Sequence, residues 1–259
     1  MRKNTWLLTL VLILTFLGSS VSCSPDLGKA HMESAVNMMK MLPSDASGLD
    51  STDLRMIRSD ADLANMWSYL QSEASYVENV DIMATVSKPR LSLRRGSQVA
   101  EYITELNRTC NETYEYKGIK IWKDKYYYVT FINSIGISGS EETVRRCIDV
   151  VKGDEASLYD KVEDIVDLMP NGYMLAVVNW DATHGNDSES YLYEGMLTMG
   201  YSVANEGDND RETTILKFRG FDAAQQYTEK MKERGLPSII TQDGVFVTEV
   251  VIKPNIWSE

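Results

Sequence analysis

The sequence predicts an α+β body in which antiparallel sheets pack against helices, preceded by an apolar leader and an N-terminal helical segment. Three observations support this prediction: hydrophobic spacing that alternates between helical and strand periods, a motif repeated 124 residues apart, and an apolar content of 43% across 259 residues. This content is enough to bury a core and excludes disordered, collagen-like and coiled-coil chains.

The leader has the three parts of a secretion signal. Arg2 and Lys3 give a basic start, residues 7–18 form an uncharged apolar run, and small residues follow up to Cys23. A membrane-spanning helix needs about 20 apolar residues, so this run is too short to span. We therefore predict a signal peptide at residues 1–22.

Val21-Ser22-Cys23 resembles the end of the lipobox of bacterial lipoprotein precursors, although Ser20 stands where that family prefers Leu. The resemblance implies a diacylglycerol on Cys23, which would hold the protein at the cell membrane or envelope, outside the cytoplasm. The alternatives are an ordinary signal peptide cut nearby, with Cys23 left as a thiol, and an uncleaved signal anchor.

The charge balance argues against nucleic acid as a partner. With 26 basic and 38 acidic residues, the net charge is −12, and it becomes −14 once Arg2 and Lys3 leave with the signal peptide. A body of this charge repels a polyanion.

Residues 23–77 are predicted to form the lipid-anchor linker and the N-terminal helices. One helix is expected at about 26–42, before Pro43, and a second around residues 63–70, because apolar residues recur there at i, i+3, i+4 and i+7. The intervening residues 43–60 are rich in Ser, Asp and Gly, so we predict a loop with a helical turn there.

Residues 78–170 are predicted to form a first α+β unit with connecting helices. Alternating apolar residues indicate strands from residue 80 and residue 91, a helical stripe follows over 99–106, and a hairpin is expected at 118–132. A further strand at 135–138 leads to a helix with Ser140 as its N-cap and Gly153 as its end. A capping box formed by Ser157 and Asp160 begins the next helix.

Residues 171–259 are predicted to form a second, similar unit. The pattern R-G-x-x-x-A-x-x-x-T-E begins at Arg95 and again at Arg219, each time after an apolar run and at the start of a helix. The hairpin that follows in the second unit turns at Asp243-Gly244. We therefore predict two β-β-α-β-β units, at about 78–152 and 197–253, which would derive from an internal duplication.

The middle of the chain resembles uncharacterised secreted bacterial proteins. The resemblance covers about 45 residues and is carried by Gly139-Ser140-Glu141-Glu142 after a strand, Lys152-Gly153 after a helix, and residues 168–172 (Leu-Met-Pro-Asn-Gly) before an apolar strand. That family offers no catalytic residues to transfer.

The two remaining cysteines, Cys110 and Cys147, permit one disulfide in an exported chain. The alternative is a reduced and buried Cys147, because it lies on the apolar stripe of its predicted helix.

Residue types give little sign of catalysis. With His31 and His184 as the two histidines, no standard multi-histidine metal site can be assembled, and nucleophile-elbow and phosphate-loop motifs are missing. We predict no catalytic residues, no metal and no cofactor.

Aromatic residues crowd the first predicted hairpin, where they would either bind a carbohydrate or an envelope protein or pack across the sheet. The residues of this candidate recognition surface are Tyr114, Tyr116, Trp122, Tyr126 and Tyr128. The expected function is a non-catalytic binding or scaffold role in the bacterial cell envelope. The alternatives are an anchored hydrolase with an unrecognised active site and a structural subunit of an envelope complex.

Overall fold

The computed structural model describes residues 25–73, 78, 80–96, 99–110, 112–180, 194–235 and 237–257. In this part of the chain, seven α-helices and one 12-stranded antiparallel sheet form an α+β fold, which confirms the predicted class. The helices are α1 (Pro25–Met39), α2 (Leu54–Ser59), α3 (Ala64–Glu73), α4 (Val99–Thr109), α5 (Glu141–Lys152), α6 (Tyr159–Val166) and α7 (Phe221–Glu233). The strands are β1 (Gly48–Asp53), β2 (Ile82–Val86), β3 (Leu91–Arg95), β4 (Glu112–Tyr116), β5 (Ile119–Lys123), β6 (Tyr128–Ile132), β7 (Ile135–Gly139), β8 (Met174–Asn179), β9 (Met196–Asn205), β10 (Asn209–Phe218), β11 (Ile239–Asp243) and β12 (Phe246–Pro254).

The strand order is β11-β12-β10-β9-β8-β1-β2-β3-β7-β6-β5-β4. Outward from the central pair β1 and β8, the two halves follow the same plan: β2-β3-β7-β6 on one side and β9-β10-β12-β11 on the other. Helix α4 follows β3 as α7 follows β10, and the first half adds the hairpin β4–β5 at its edge. The two units are therefore halves of one sheet. Their origin by duplication stays a prediction.

The main core lies on what we call the front face of the sheet, which α1, α5 and α6 cover. Alternate strand residues such as Leu93 and Ile137 point to this face, where Met38 of α1 is also fully buried. Helix α6 lies very close to β9, because a side-chain carbon added at Gly200 would be 2.7 Å from Ile165. Glycine at this position therefore sets the spacing between helix and sheet.

The opposite, back face is covered in three separate places. Helices α2 and α3 cover the middle of the sheet around Met83 and Tyr201. Helix α7 packs on the second half through Tyr227 and Phe218, and α4 packs on β5 and β6 through Leu106. Because these three clusters are not continuous, part of the back face lies between helices rather than beneath them.

The predicted helix ends are confirmed around α5 and α6. Ser140 Oγ accepts a hydrogen bond from the amide of Thr143 at 3.2 Å, and Gly153 ends α5 with a φ of 82°. At the start of α6, the amide of Ser157 donates to Asp160 Oδ2 at 2.9 Å and the amide of Asp160 donates to Ser157 Oγ at 3.3 Å. These are the reciprocal bonds of a capping box.

The prediction of a loop with a helical turn over residues 43–60 was correct for the turn, which is α2 (Leu54–Ser59), but wrong for Gly48–Asp53, which forms β1 at the centre of the sheet. The segment Gly-Leu-Asp-Ser-Thr-Asp has no apolar alternation and few strand-favouring residues. It becomes a strand because β2 and β8 pair with it on either side. Tertiary pairing thus overrides the weak local preference.

Two further features differ from the sequence prediction. A strand at 112–116, β4, precedes the predicted hairpin and turns into β5 at Lys117-Gly118, both of which have positive φ. In α7, the helix that the second copy of the repeated motif predicts, Ala224 and Met231 are buried, but Phe221 at its start is 56% exposed.

Candidate functional site

A cleft of about 540 Å³ opens on the back face between α4 and strands β3, β6 and β7. Gly136 and Ser138 of β7 line it from the sheet, Tyr102 lines it from α4, and Phe131 and Arg94 line it from β6 and β3. The volume lies within the range typical of small-molecule sites.

The cleft is open because α4 is anchored at one end and the sheet beneath its other end carries small side chains. Among the described residues of α4, Leu106 is buried and the others are half-buried or exposed. Strand β7 places Gly136 and Ser138 on the back face. Beneath α7, at the matching place in the second half, Phe218 and Tyr227 fill the space with rings 5.3 Å apart.

Aromatic rings form one wall of the cleft. The ring of Phe131 meets Tyr102 edge-to-face at 5.7 Å and Trp122 at 5.6 Å. Trp122 Nε1 donates to Oδ1 of Asn107 at 3.0 Å, which ties α4 to β5. A side-chain carbon at Gly136 would lie 3.0 Å from the Phe131 ring. The absence of a side chain at this position therefore leaves space for the ring.

The polar groups that line the cleft include the hydroxyls of Tyr102 and Tyr127 and the guanidinium of Arg94. The other polar residues of the lining are Arg95, Glu101, Glu105 and Ser138. Burial is the main cause that raises the pKa of Tyr127 to about 12, and burial also raises the pKa of Tyr102, against the opposing charge of Arg94. Both hydroxyls therefore keep their protons at neutral pH. They are hydrogen-bonded to each other, and Tyr127 is also hydrogen-bonded to Asp124. Glu105, which also lines the cleft, is paired with Arg108 at 2.7 Å.

The lining combines apolar and aromatic surface with polar and charged side chains. Among the described residues that line the cleft there is no histidine or cysteine. The hydroxyl of Ser138 donates to the backbone carbonyl of Ser92 at 3.4 Å, and a carbonyl cannot act as the general base that a nucleophilic serine needs. The aromatic wall can contact an apolar face of a ligand, and Arg94 beside it can contact a hydrogen-bond acceptor or a negative charge.

The five aromatic residues of the candidate recognition surface do not form one continuous surface. Tyr114, Tyr116 and Tyr128 pack against the main core on the front side of the sheet. Trp122 points to the back face beside the cleft, and Tyr126 is 79% exposed in the turn between β5 and β6. A recognition role for this set stays a prediction.

Both described cysteines are free, so the structure does not contain the disulfide that the sequence permits. Cys147 is fully buried in the front-face core, while Cys110 lies against the back-face cluster under α4. Burial raises the pKa of the Cys147 thiol to about 12, which makes it inert as a nucleophile at neutral pH. His184 lies outside the described residues.

Three other predictions concern the leader, membrane-spanning helices and metal ions. Cys23 and the rest of the leader lie outside the described residues. Within the described ranges, no helix has both the length and the apolar character needed to cross a membrane. Within the same ranges, no three His, Cys, Asp or Glu side chains are grouped to hold a metal ion.

The chain was compared with known proteins, and solved structures with a similar fold were found. No protein-family model matches the chain, and neither does any curated protein. Crystal structures of TP0453 in three crystal forms are similar to this chain. Form III is 10% identical, with a TM-score of 0.47 over 84% of this chain and 94% of TP0453. Form IV is 12% identical, with a TM-score of 0.48 over 82% of this chain and 92% of TP0453. Similarity of this degree does not indicate a function for this chain.

The sequence did not assign the residues of the cleft to a site, although the repeated motif that begins at Arg95-Gly96 lies at its border. Tyr102 looked like one member of a helical stripe, and Arg94 like the end of a strand. The usable signal was the run Gly136-Ile137-Ser138-Gly139, where a predicted strand has small residues on one face. Small side chains at alternate strand positions leave room for another group to approach the sheet.

Proposed function

We propose that this chain is an exported protein of the bacterial cell envelope that is anchored by diacylglycerol on Cys23 and acts as a non-catalytic binding module. The anchor is supported by the basic start, the short apolar run and the small residues that end in Val21-Ser22-Cys23. Helix α1 begins at Pro25, so Ser24 alone would separate the lipidated residue from the folded body. Such a short tether would keep the body close to the membrane surface.

The anchor is tested by the mass of the N-terminal peptide of the protein purified from its own cells. We expect a peptide that begins at Cys23 and carries a diacylglyceryl increment. The variant Cys23→Ala should lack the increment and leave the membrane fraction. An unmodified N-terminus near Cys23 in the natural protein would contradict the anchor and leave a freely secreted protein.

The binding role rests on the cleft beneath α4. It brings an aromatic wall, the hydroxyls of Tyr102 and Tyr127, and the charge of Arg94 around one space of about 540 Å³. A ligand with one apolar face and acceptor groups fits this chemistry, which includes carbohydrates and aromatic anions.

Binding is tested with the fluorescent probe 1-anilinonaphthalene-8-sulfonate, which combines apolar rings with a negative charge. At about 0.3 kcal/mol for each of its roughly 20 non-hydrogen atoms, binding of about 6 kcal/mol corresponds to a Kd of tens of micromolar. We expect one probe per protein and displacement of the probe by ligands of the cleft.

Two variants locate the probe. Ser138→Phe should fill the cleft and abolish binding, and Arg94→Gln should weaken it about tenfold by removing the positive charge. Lys232→Gln removes an exposed charge from α7 and is the matched control, with no change expected. Equal binding by the natural protein and Ser138→Phe would show that the cleft is not the site.

A further inference from the structure

The second half of the sheet has an open front face. A groove of about 630 Å³ lies over β9, β10 and β12 and reaches Asp243 at the end of β11, and it is bordered by Leu168 and Pro170 just after α6. Its floor includes Thr248 and Val250 of β12, and Ile239 on the neighbouring edge strand is 66% exposed. This groove is separate from the cleft beneath α4, which opens on the opposite face.

The exposure of β12 is unusual for its place in the sheet. The strand is hydrogen-bonded on both sides, to β10 and to β11. Its back-face residue Val247 is fully buried under α7, but its front-face residues Phe246, Thr248 and Val250 are half-buried. The back face of β12 is thus covered by α7, whereas its front face is exposed to solvent.

The first half of the sheet shows what covers this position. There, β7 and β6 hold the places that β12 and β11 hold in the second half. Helix α5 lies over β6 and β7 and buries Val144, Cys147 and Ile148 against them. Among the described residues, no helix lies at the matching place over β12 and β11.

The dimensions of the open face match a single helix. Two strands spaced by about 4.8 Å span about 10 Å, which is the diameter of a helix with its side chains. Helix α6 already occupies the neighbouring position over β8, β9 and β10. The part of the front face over β12 and β11 is therefore about one helix wide.

The charges around the groove favour a basic helix. Glu206 and Arg211 line it and pair with each other at 3.4 Å, whereas Asp243 adds a further negative charge at the end of β11. The whole chain also carries a net charge of −12.

We propose that the front face of β10, β12 and β11 is a docking groove for an amphipathic α-helix of a partner protein. The helix would present apolar residues at i, i+3, i+4 and i+7 to Thr248 and Val250, as α5 does to β6 and β7. It would place a Lys or Arg near Asp243. This interaction does not depend on a ligand in the cleft.

The test is photo-crosslinking of the full chain in its own cells. A benzophenone amino acid replaces Thr248 in the groove or, as the control, the exposed Thr113 on β4 at the opposite edge of the sheet. Mass spectrometry then identifies the crosslinked peptide. We expect position 248, and not position 113, to crosslink to one defined segment of another protein with helical apolar spacing.

A second measurement uses that segment as a synthetic peptide. It should gain helicity on binding, and Thr248→Lys should weaken binding at least tenfold, whereas Thr113→Lys should leave it unchanged. Circular dichroism checks that both variants are folded. Each of the following would overturn the proposal: no crosslink specific to position 248, a crosslink to a second copy or to residues of the same chain, a lipid adduct, or a peptide that binds as a strand along β11.

Discussion

At the scale of single residues, His31 is a buried connection between three parts of the chain. Its Nδ1 donates to the carbonyl of Gly172 at 2.8 Å, which joins α1 to the segment before β8. Because a carbonyl can only accept, the other nitrogen, Nε2, accepts from the hydroxyl of Ser51 on β1 at 2.8 Å. This neutral form satisfies every polar atom of the ring. The residue is therefore structural, although a lone histidine is often suspected of catalysis.

The burial of His31 predicts a pH-dependent stability. Burial lowers the pKa of His31 below its ordinary value of 6.5, so the unfolded chain binds this proton more readily than the folded one. Stability should be complete above about pH 6.5 and fall below it by up to about 1.4 kcal/mol per pH unit. Urea unfolding between pH 7.5 and 5.5 measures this slope.

Two variants separate His31 from other titrating groups. His31→Gln should be less stable at pH 7.5 but should lose most of the slope between pH 7.5 and 5.5. His184→Gln, which changes the other histidine of the chain, should keep the slope. An unchanged slope in His31→Gln would assign the acid sensitivity to another group.

Some properties of the residues in and near the candidate site could be predicted from the sequence, and others could not. The buried state of Cys147 could be predicted, because its neighbours at helical spacing are apolar. The cleft could not, because Arg94, Tyr102 and Tyr127 come from three segments that meet only in the folded chain. A cleft produces no periodic pattern of residues in the sequence.

At the scale of secondary-structure elements, the edge hairpin β4–β5 is fastened to α5 by tyrosines. The guanidinium of Arg145 lies 5.4 Å and 5.1 Å from the ring centres of Tyr114 and Tyr116. Their hydroxyls donate to Glu141 at 2.9 Å and to Asp149 at 3.0 Å. These contacts give the two tyrosines a structural role, which is the packing alternative that the sequence left open.

This fastening predicts different effects for two matched substitutions. Tyr116→Phe removes a hydrogen bond to a charged acceptor and should cost about 1.5–3 kcal/mol of unfolding free energy. Tyr126→Phe, at a residue that is 79% exposed, should change stability by less than about 0.5 kcal/mol. Denaturant unfolding measures both, and hydrogen exchange should show faster opening of β4 in Tyr116→Phe alone. Equal effects of the two substitutions would argue against the fastening.

The elements that the sequence predicted correctly are those with local signals. Helix α5 has its cap, its apolar stripe and its terminal glycine within 14 residues, from Ser140 to Gly153. Strand β1 has none of these, and its partners β2 and β8 lie far along the chain. A polar strand of this kind is specified by its neighbours, which a reading of local pattern does not include.

At the scale of the whole molecule, the central pair β1 and β8 makes the two halves one body. Five residue pairs join these strands, from Gly48 with Val178 to Thr52 with Met174. The front-face core continues across this pair and includes residues of both halves, such as Leu93 and Ile215. Separation of the halves would expose strand edges and open this core, so each half depends on the other.

This continuity predicts that the chain unfolds as one cooperative unit. Leu93→Ala in the first half and Leu216→Ala in the second remove matched side chains that are at most 1% exposed, and each should cost about 2–5 kcal/mol. In scanning calorimetry, each variant should lower the Tm of a single transition whose calorimetric and van't Hoff enthalpies agree. Independent halves would behave differently, because each substitution would then move one of two transitions and leave the other in place. A split transition of that kind would mean that the β1–β8 pairing joins two domains that fold separately.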